Sequence, residues 1–205
     1  GELPDLGQVD WSNDVLFTWN GTTSGVRVPD GDWIAADREG LSFADATSAV
    51  FAYDLPWDKI DVATFSWQKV LGGEGGHGVL ILGPRAVERL ENYTPAWPLP
   101  NVFLLVSKGT LAEGVFKCET INTPSMLAVE DAIFALEWAK SLGGLTGLQA
   151  RSNANAAALD KIVAERDWLS HLAADPASRS KTSVCLSVAG ADAEFIKKFA
   201  GLLEK

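Results

Sequence analysis

The chain has 205 residues, 47% of them hydrophobic, enough for one large domain or one and a half ordinary ones. Its 27 acidic and 17 basic residues give a net charge of -10, which argues against the basic face of a nucleic-acid binder but leaves room for a small anion held by local cations and backbone N–H groups. No apolar stretch approaches the ~18 residues of a membrane span, and Cys118 and Cys185 show neither metal spacing nor a disulfide framework, so reduced thiols in a cytosolic (cytoplasmic) protein are expected.

Val15 to Trp19 reads as a buried strand closed by the turn-rich Asn20-Gly21-Thr22-Thr23-Ser24-Gly25. Val26 to Pro29 is a short edge strand or turn arm. Leu41 to Ser48 is a second strand, Val62 to Trp67 a third and Gly78 to Leu82 a fourth. Pro84 to Glu91 forms a helix with Pro in its first turn. The clearest helix spans Ser125 to Leu142: Leu127, Val129, Ala132, Ile133, Leu136 and Ala139 recur at helical spacing, Pro124 precedes it and Gly143-Gly144 ends it. A second long helix is expected from about Leu145 to Leu172, broken by Asp175-Pro176. Thr182 to Val188 then reads as a strand and Ala191 to Lys205 as a closing amphipathic helix. The fold class is α/β, with a boundary near Gly143-Gly144. A start at Gly1 rather than Met, and a last strand–helix unit too short to cover its own sheet, lead us to expect a piece of a longer chain.

Chemistry concentrates in Thr64 to Gly78. One lysine, Lys69, stands where an apolar run ends and a glycine-rich turn begins. A lysine placed so can hold a carbonyl as a Schiff base, because burial or nearby positive charge readily depresses its pKa; the plainer alternative is a surface lysine in a loop. Gly73-x-Gly75-x-x-Gly78 has the form of a dinucleotide fingerprint, but a strand follows it where the fingerprint needs a helix. Asp45 closes an apolar strand, where a carboxylate can hold a protonated ring nitrogen or simply cap a helix begun by Thr47-Ser48. Thr22 stands in the loop after the first strand, able to meet a phenolic oxygen or to serve the turn alone. Gln68 can donate to a phosphate or face solvent. Asn122-Thr123-Pro124 precedes the clearest helix, suited to an anion or to a simple cap. Trp67 reads as packing, His77 as a structural member of its turn, and His171 carries no role.

Taken together, these residues resemble the phosphoserine aminotransferase family, class V aminotransferases of the aspartate-aminotransferase fold (pyridoxal-phosphate fold type I). The resemblance spans essentially the whole chain and is most specific at Phe43-Ala44-Asp45-Ala46-Thr47-Ser48, Ser66-Trp67-Gln68-Lys69 and Glu119-Thr120-Ile121-Asn122-Thr123-Pro124-Ser125. It implies that residues 1–143 are part of the large cofactor-binding domain, and residues 144–205 a connecting helix and part of the small domain. It further implies pyridoxal 5'-phosphate as cofactor, with Lys69 holding it and then moving the proton. Asp45 would pair with the pyridine nitrogen, Thr22 with the phenolic oxygen and Gln68 with the phosphate. Asn122 and Thr123 would reach the cofactor phosphate of a second subunit in a homodimer. The implied reaction passes the amino group of glutamate to 3-phosphohydroxypyruvate, giving phosphoserine and 2-oxoglutarate in serine biosynthesis. Another class V activity, of the alanine–glyoxylate or serine type, and a non-catalytic interaction module are the alternatives. The family's chains extend beyond both ends of this one and carry there a ring-stacking aromatic, a phosphate-cradling turn and a carboxylate-binding arginine, so a chain of this length alone is expected to lack full activity.

Overall fold

A computed structural model describes residues 1–203. In chain order its regular elements are β1 (Val15–Thr18), β2 (Asn20–Gly21), β3 (Val26–Arg27), β4 (Ser42–Asp45), β5 (Val62–Phe65), β6 (Val79–Leu82), α1 (Pro84–Asn92), β7 (Val106–Ser107), β8 (Thr110–Leu111), α2 (Met126–Ser141), α3 (Gly144–Ala164), β9 (Leu169–His171), β10 (Leu186–Val188) and α4 (Ala193–Leu203). The main sheet runs β1-β4-β5-β6. Its first three strands are parallel, and β6 returns antiparallel to β5 after the glycine-rich loop.

Small residues at the sheet centre decide how closely other segments approach. Ala44 and Ala63 are paired neighbours, both buried, and around them gather Trp19, Val28, Ala46, Ala49, Ala52, Tyr53, Leu55 and Ile60. Trp19 is 1% exposed; truncating such a residue to alanine typically costs about 3–5 kcal/mol. A second, smaller cluster joins Leu71 of the glycine-rich segment to Ala135 and Ala139 of α2 and Leu148 of α3. It ties the loop after β5 to the helical part of the chain.

One charged network lies inside. Asp61, just before β5, accepts from both terminal groups of Arg38 (Nε at 3.2 Å, Nη2 at 3.0 Å), from Arg85 Nη1 at 2.9 Å and from the Ser42 amide at 2.9 Å. A buried carboxylate is tolerated only when its lone pairs are filled in this way. The network joins β4, β5 and the first turn of α1.

Several elements are shorter than the sequence suggests, each for a local reason. β4 ends at Asp45 because the Thr47 amide turns back to Asp45 Oδ1 at 3.0 Å. β5 ends at Phe65, so Trp67 and Lys69 lie in the following turn rather than on the strand. The long helix stops at Ala164, not near Leu172: Leu169 to His171 instead pairs antiparallel with Leu186 to Val188. Three residues show too little periodicity to reveal a strand whose partner lies far along the chain. Asp175-Pro176 therefore breaks no helix; the Asp175 side chain caps a short 3-10 turn by accepting from the Ala177 amide at 2.9 Å. Only the end of the expected Thr182–Val188 strand is extended, because Ser180 Oγ takes the amides of Thr182 (3.2 Å) and Ser183 (2.9 Å) into a turn.

Candidate active site

The carboxyl ends of the parallel strands β1, β4 and β5 are the edge at which open α/β sheets bind ligands. Three segments leave it: the β2–β3 turn with Thr22, the turn after Asp45, and the loop from Ser66 to Gly78.

The Ser66–Gly78 loop is held from both sides. The Gly72 amide donates to the Lys69 carbonyl and the Gly73 amide to the Trp67 carbonyl, each at 3.0 Å. Gly72 has φ 73°, a conformation in which a side chain is strained. A Cβ on Gly73 would stand 2.6 Å from Trp67 Cδ1 and 2.7 Å from Asp131 Oδ2, so glycine lets α2 close onto the loop. Asp131 in turn accepts from the Glu74 amide at 3.1 Å. Trp67 stacks on His77, ring centroids 5.5 Å apart and 18° from parallel. The backbone of Lys69 is thus fixed while its side chain is exposed.

Asp45 is in register with Thr18 on β1 and Thr64 on β5. Its Oδ1 accepts from the Thr47 amide at 3.0 Å and the Thr47 hydroxyl at 2.7 Å. The capping role is therefore present, but it caps an irregular turn and not an α-helix. Among the described residues nothing donates to Oδ2. Ser66 Oγ and Gln68 Oε1 are buried without a partner.

Between this loop, α2 and α3 lies a cavity of about 460 Å³. Gln68 and Lys69 line it from the loop, Arg151 and Asn155 from α3, and Lys181 and Thr182 from the segment before β10. That segment is carried there by contacts with the first half of the chain: the Lys181 amide donates to the Tyr53 hydroxyl at 2.8 Å, Thr182 Oγ1 to the Ser48 carbonyl at 2.7 Å, and Arg27 Nε to the Arg179 carbonyl at 3.2 Å. Lys181 Nζ donates to Asn153 Oδ1 at 2.7 Å and stands 4.6 Å over the Tyr53 ring. Burial, and then the Arg27 charge, hold its amine below the ordinary lysine value, with Asp54 acting the other way.

Of the residues singled out from sequence, Gln68 and Lys69 share the cavity, and Asp45 and Thr22 stand on neighbouring segments of the same sheet edge without lining it. Thr22 is exposed, and its carbonyl lies 3.8 Å from Cys185 Sγ. Asn122 and Thr123 are exposed and do not line the cavity, and the capping of α2 falls to Ser125, whose Oγ accepts from the Ala128 amide at 3.4 Å. Arg151 and Lys181 were not picked out from sequence. The available signal was the run from Arg179 to Val188, which holds two basic residues and no acid in an acidic chain.

No family model matches the chain. The phosphoserine aminotransferase of Methanosarcina barkeri is 58% identical over 205 residues, covering 100% of this chain and 55% of its own. By sequence the chain is similar to phosphoserine aminotransferases. It spans about half the length of the curated relatives it matches. In three dimensions the chain has the fold of about half of each solved aminotransferase it resembles. A phosphoserine aminotransferase from Cytophaga hutchinsonii superposes with a TM-score of 0.74 at 22% identity, over 92% of this chain and 52% of that one. A PLP-bound phosphoserine aminotransferase from Trichomonas vaginalis gives 0.71 at 18% identity, over 92% and 49%.

Proposed function

We propose that the full-length protein carrying this chain transfers the amino group of L-glutamate to 3-phosphohydroxypyruvate, giving O-phospho-L-serine and 2-oxoglutarate, with pyridoxal phosphate as cofactor. The observation that carries the reading is the placing of Asp45 and the Gln68–Lys69 loop at one sheet edge in a chain so close in sequence to phosphoserine aminotransferases.

The residues present suit that cofactor. Asp45 keeps one carboxylate oxygen without a donor at the strand end, the group needed to hold a protonated ring nitrogen. Gln68 has a buried amide oxygen lacking a partner, so its amide is not committed to the protein. When bound, the cofactor supplies an electron-poor pyridinium ring that draws electron density from the substrate α-carbon. Asp45 keeps that ring protonated, Gln68 orients the phosphate and Thr22 the phenolic oxygen. Lys69 Nζ would hold the cofactor and, once freed by the incoming amine, would move a proton between the substrate α-carbon and C4′ of the cofactor. The fixed backbone on either side of Lys69 keeps that amine in reach of both positions.

Residues 1–143 are read as part of the large domain and 144–205 as the connecting helix and part of the small one. Asn122 and Thr123 are assigned to the cofactor phosphate of a second subunit in a homodimer. Cytoplasmic placement belongs to the same reading; no described helix is long and apolar enough to cross a membrane. The test is a coupled assay on the full-length protein with glutamate and either phosphohydroxypyruvate, glyoxylate or pyruvate as acceptor. Strong preference for the phosphorylated acceptor is expected; equal or better turnover with glyoxylate would move the assignment to the alanine–glyoxylate type.

A further inference from the structure

Past the β4–β5 register, nothing polar joins the acid to the lysine. Among the described residues no hydrogen bond runs from the turn after Asp45 (47–53) to the loop after Phe65 (66–73). Their connection is apolar, and it passes through Phe51. This residue packs against both core clusters, the one around Ala44 and Ala63 and the one that joins Leu71 to α2 and α3. Val70, the residue after Lys69, is the other that packs against both. The Phe51 ring also meets Phe65 edge on, with centroids 5.9 Å apart and planes at 85°. Phe51 thus touches the residue that ends β5 and shares both clusters with the residue that follows the lysine.

The backbone at Phe51 shows that this placement is imposed. Its φ is 70°. A bulky side chain disfavours that conformation, which persists only where the surroundings over-determine it. Lys108 and Cys118 also take positive φ, but both are exposed, whereas Phe51 is half-buried. The Ala52 and Tyr53 amides close on the Ala49 carbonyl at 2.9 and 3.1 Å and hold the turn on either side of the strained residue. Because φ sets the direction of the Cα–Cβ bond against the turn, the strained value is what aims the ring at the root of the lysine loop.

We propose that Phe51 is a positioning residue: its ring carries the placement of the Asp45 turn across to Phe65 and Val70, and so holds the Lys69 backbone at a fixed place relative to the acid. It acts through the loop and not on the reacting atoms. Its bearing on amino-group transfer rests on the transaminase reading above; the mechanical coupling of turn to loop does not.

Amide hydrogen exchange on the full-length, cofactor-free protein tests the proposal with Phe51→Gly and Phe51→Leu. Glycine removes the ring and also the backbone strain, which offsets part of the lost packing; leucine keeps the apolar bulk and the strain but not the edge-on ring. The Gly72 and Gly73 amides, bonded to the Lys69 and Trp67 carbonyls, report on the loop, and peptides of β1 and α1 report on the rest of the fold. In Phe51→Gly the loop amides should exchange at least about tenfold faster while β1 and α1 stay within about twofold of wild type, the pattern of local rather than global opening. Pyridoxal phosphate added to the same samples should be captured at Lys69 at least about tenfold more slowly, and Phe51→Leu should fall between on both readouts. Loop exchange within about twofold of wild type, or an acceleration equal in loop, β1 and α1, overturns the proposal, since the second is what a residue that only packs would give. Should Phe51→Gly not fold, the leucine variant decides by the same comparison of loop with β1 and α1. A wild type that captures no cofactor at Lys69 would sink the transaminase reading, while the exchange measurement still decides the coupling.

Discussion

Asp45 and Thr64 face each other across β4 and β5, and the amide of Ala46 donates to the Thr64 carbonyl at 2.9 Å. This single register pair fixes where the acid stands relative to the lysine loop, which begins two residues after Thr64 at Ser66. A one-residue slip would turn Asp45 to the opposite face of the sheet. In the proposed function this acid and this lysine serve one bound ring.

Replacing Asp45 by Asn keeps the shape and the contact with Thr47 but removes the charge that, in the proposed function, would keep the ring nitrogen protonated. In the full-length protein kcat should fall roughly 10²-fold or more, the scale of losing one preorganised electrostatic partner. Pre-steady-state kinetics should place the loss in proton transfer; a kcat within a few-fold of wild type would show that Asp45 serves only its turn.

Gly73→Ala tests whether the loop is held by α2. The new Cβ would meet Trp67 Cδ1 at 2.6 Å and Asp131 Oδ2 at 2.7 Å, so the indole or the helix must move. We expect a stability loss of about 1–3 kcal/mol by urea unfolding, with a slower rate of cofactor capture at Lys69. Unchanged capture kinetics would mean that the loop position does not govern the lysine.

Asp61→Ala leaves Arg38 buried without its carboxylate. Arg38 is 4% and Asp61 6% exposed in their side chains, and breaking such a pair typically costs about 3–5 kcal/mol. Urea unfolding should show that loss; one below about 1 kcal/mol, the range of exposed pairs, would place the network outside the core.

Lys181 makes stability pH-dependent in a defined direction. Its folded value lies below the unfolded one, near ~10.4, because burial and Arg27 disfavour the charged form. Between the two values the unfolded chain binds more protons, so stability rises with pH across that window; below the folded value the penalty is present in full. Lys181→Met removes the titration. The stability of the wild type relative to this variant should climb as the pH rises from the lowered folded value to ~10.4, and a flat difference would contradict the assignment.

Much of the sheet was legible because β1, β4, β5 and β6 are apolar runs followed by residues with a turn chemistry of their own, as at Asp45 and at Thr22 to Gly25, although Asn20-Gly21, expected in that turn, forms the short strand β2. The clearest helix was read almost to the residue, since Ser125 caps it and Gly143-Gly144 ends it. What was missed depends on contacts between distant segments. β9 exists only because β10 lies beside it, and Lys181 reaches the cavity only because Tyr53 and Ser48 hold its segment there. Local periodicity carries no trace of such partners. Lys69 itself stood out because a single lysine interrupts an apolar run before glycines, whereas Arg151 on α3 looks like any solvent-facing helical arginine.

The most direct measurement is reduction of the full-length, cofactor-loaded protein with borohydride, followed by peptide mass mapping. The account predicts that the mass of the reduced cofactor falls on the peptide containing Lys69 and on no other lysine, and that Lys69→Ala abolishes the label. Label on Lys181 or scattered over surface lysines, with Lys69 unmodified, would contradict it.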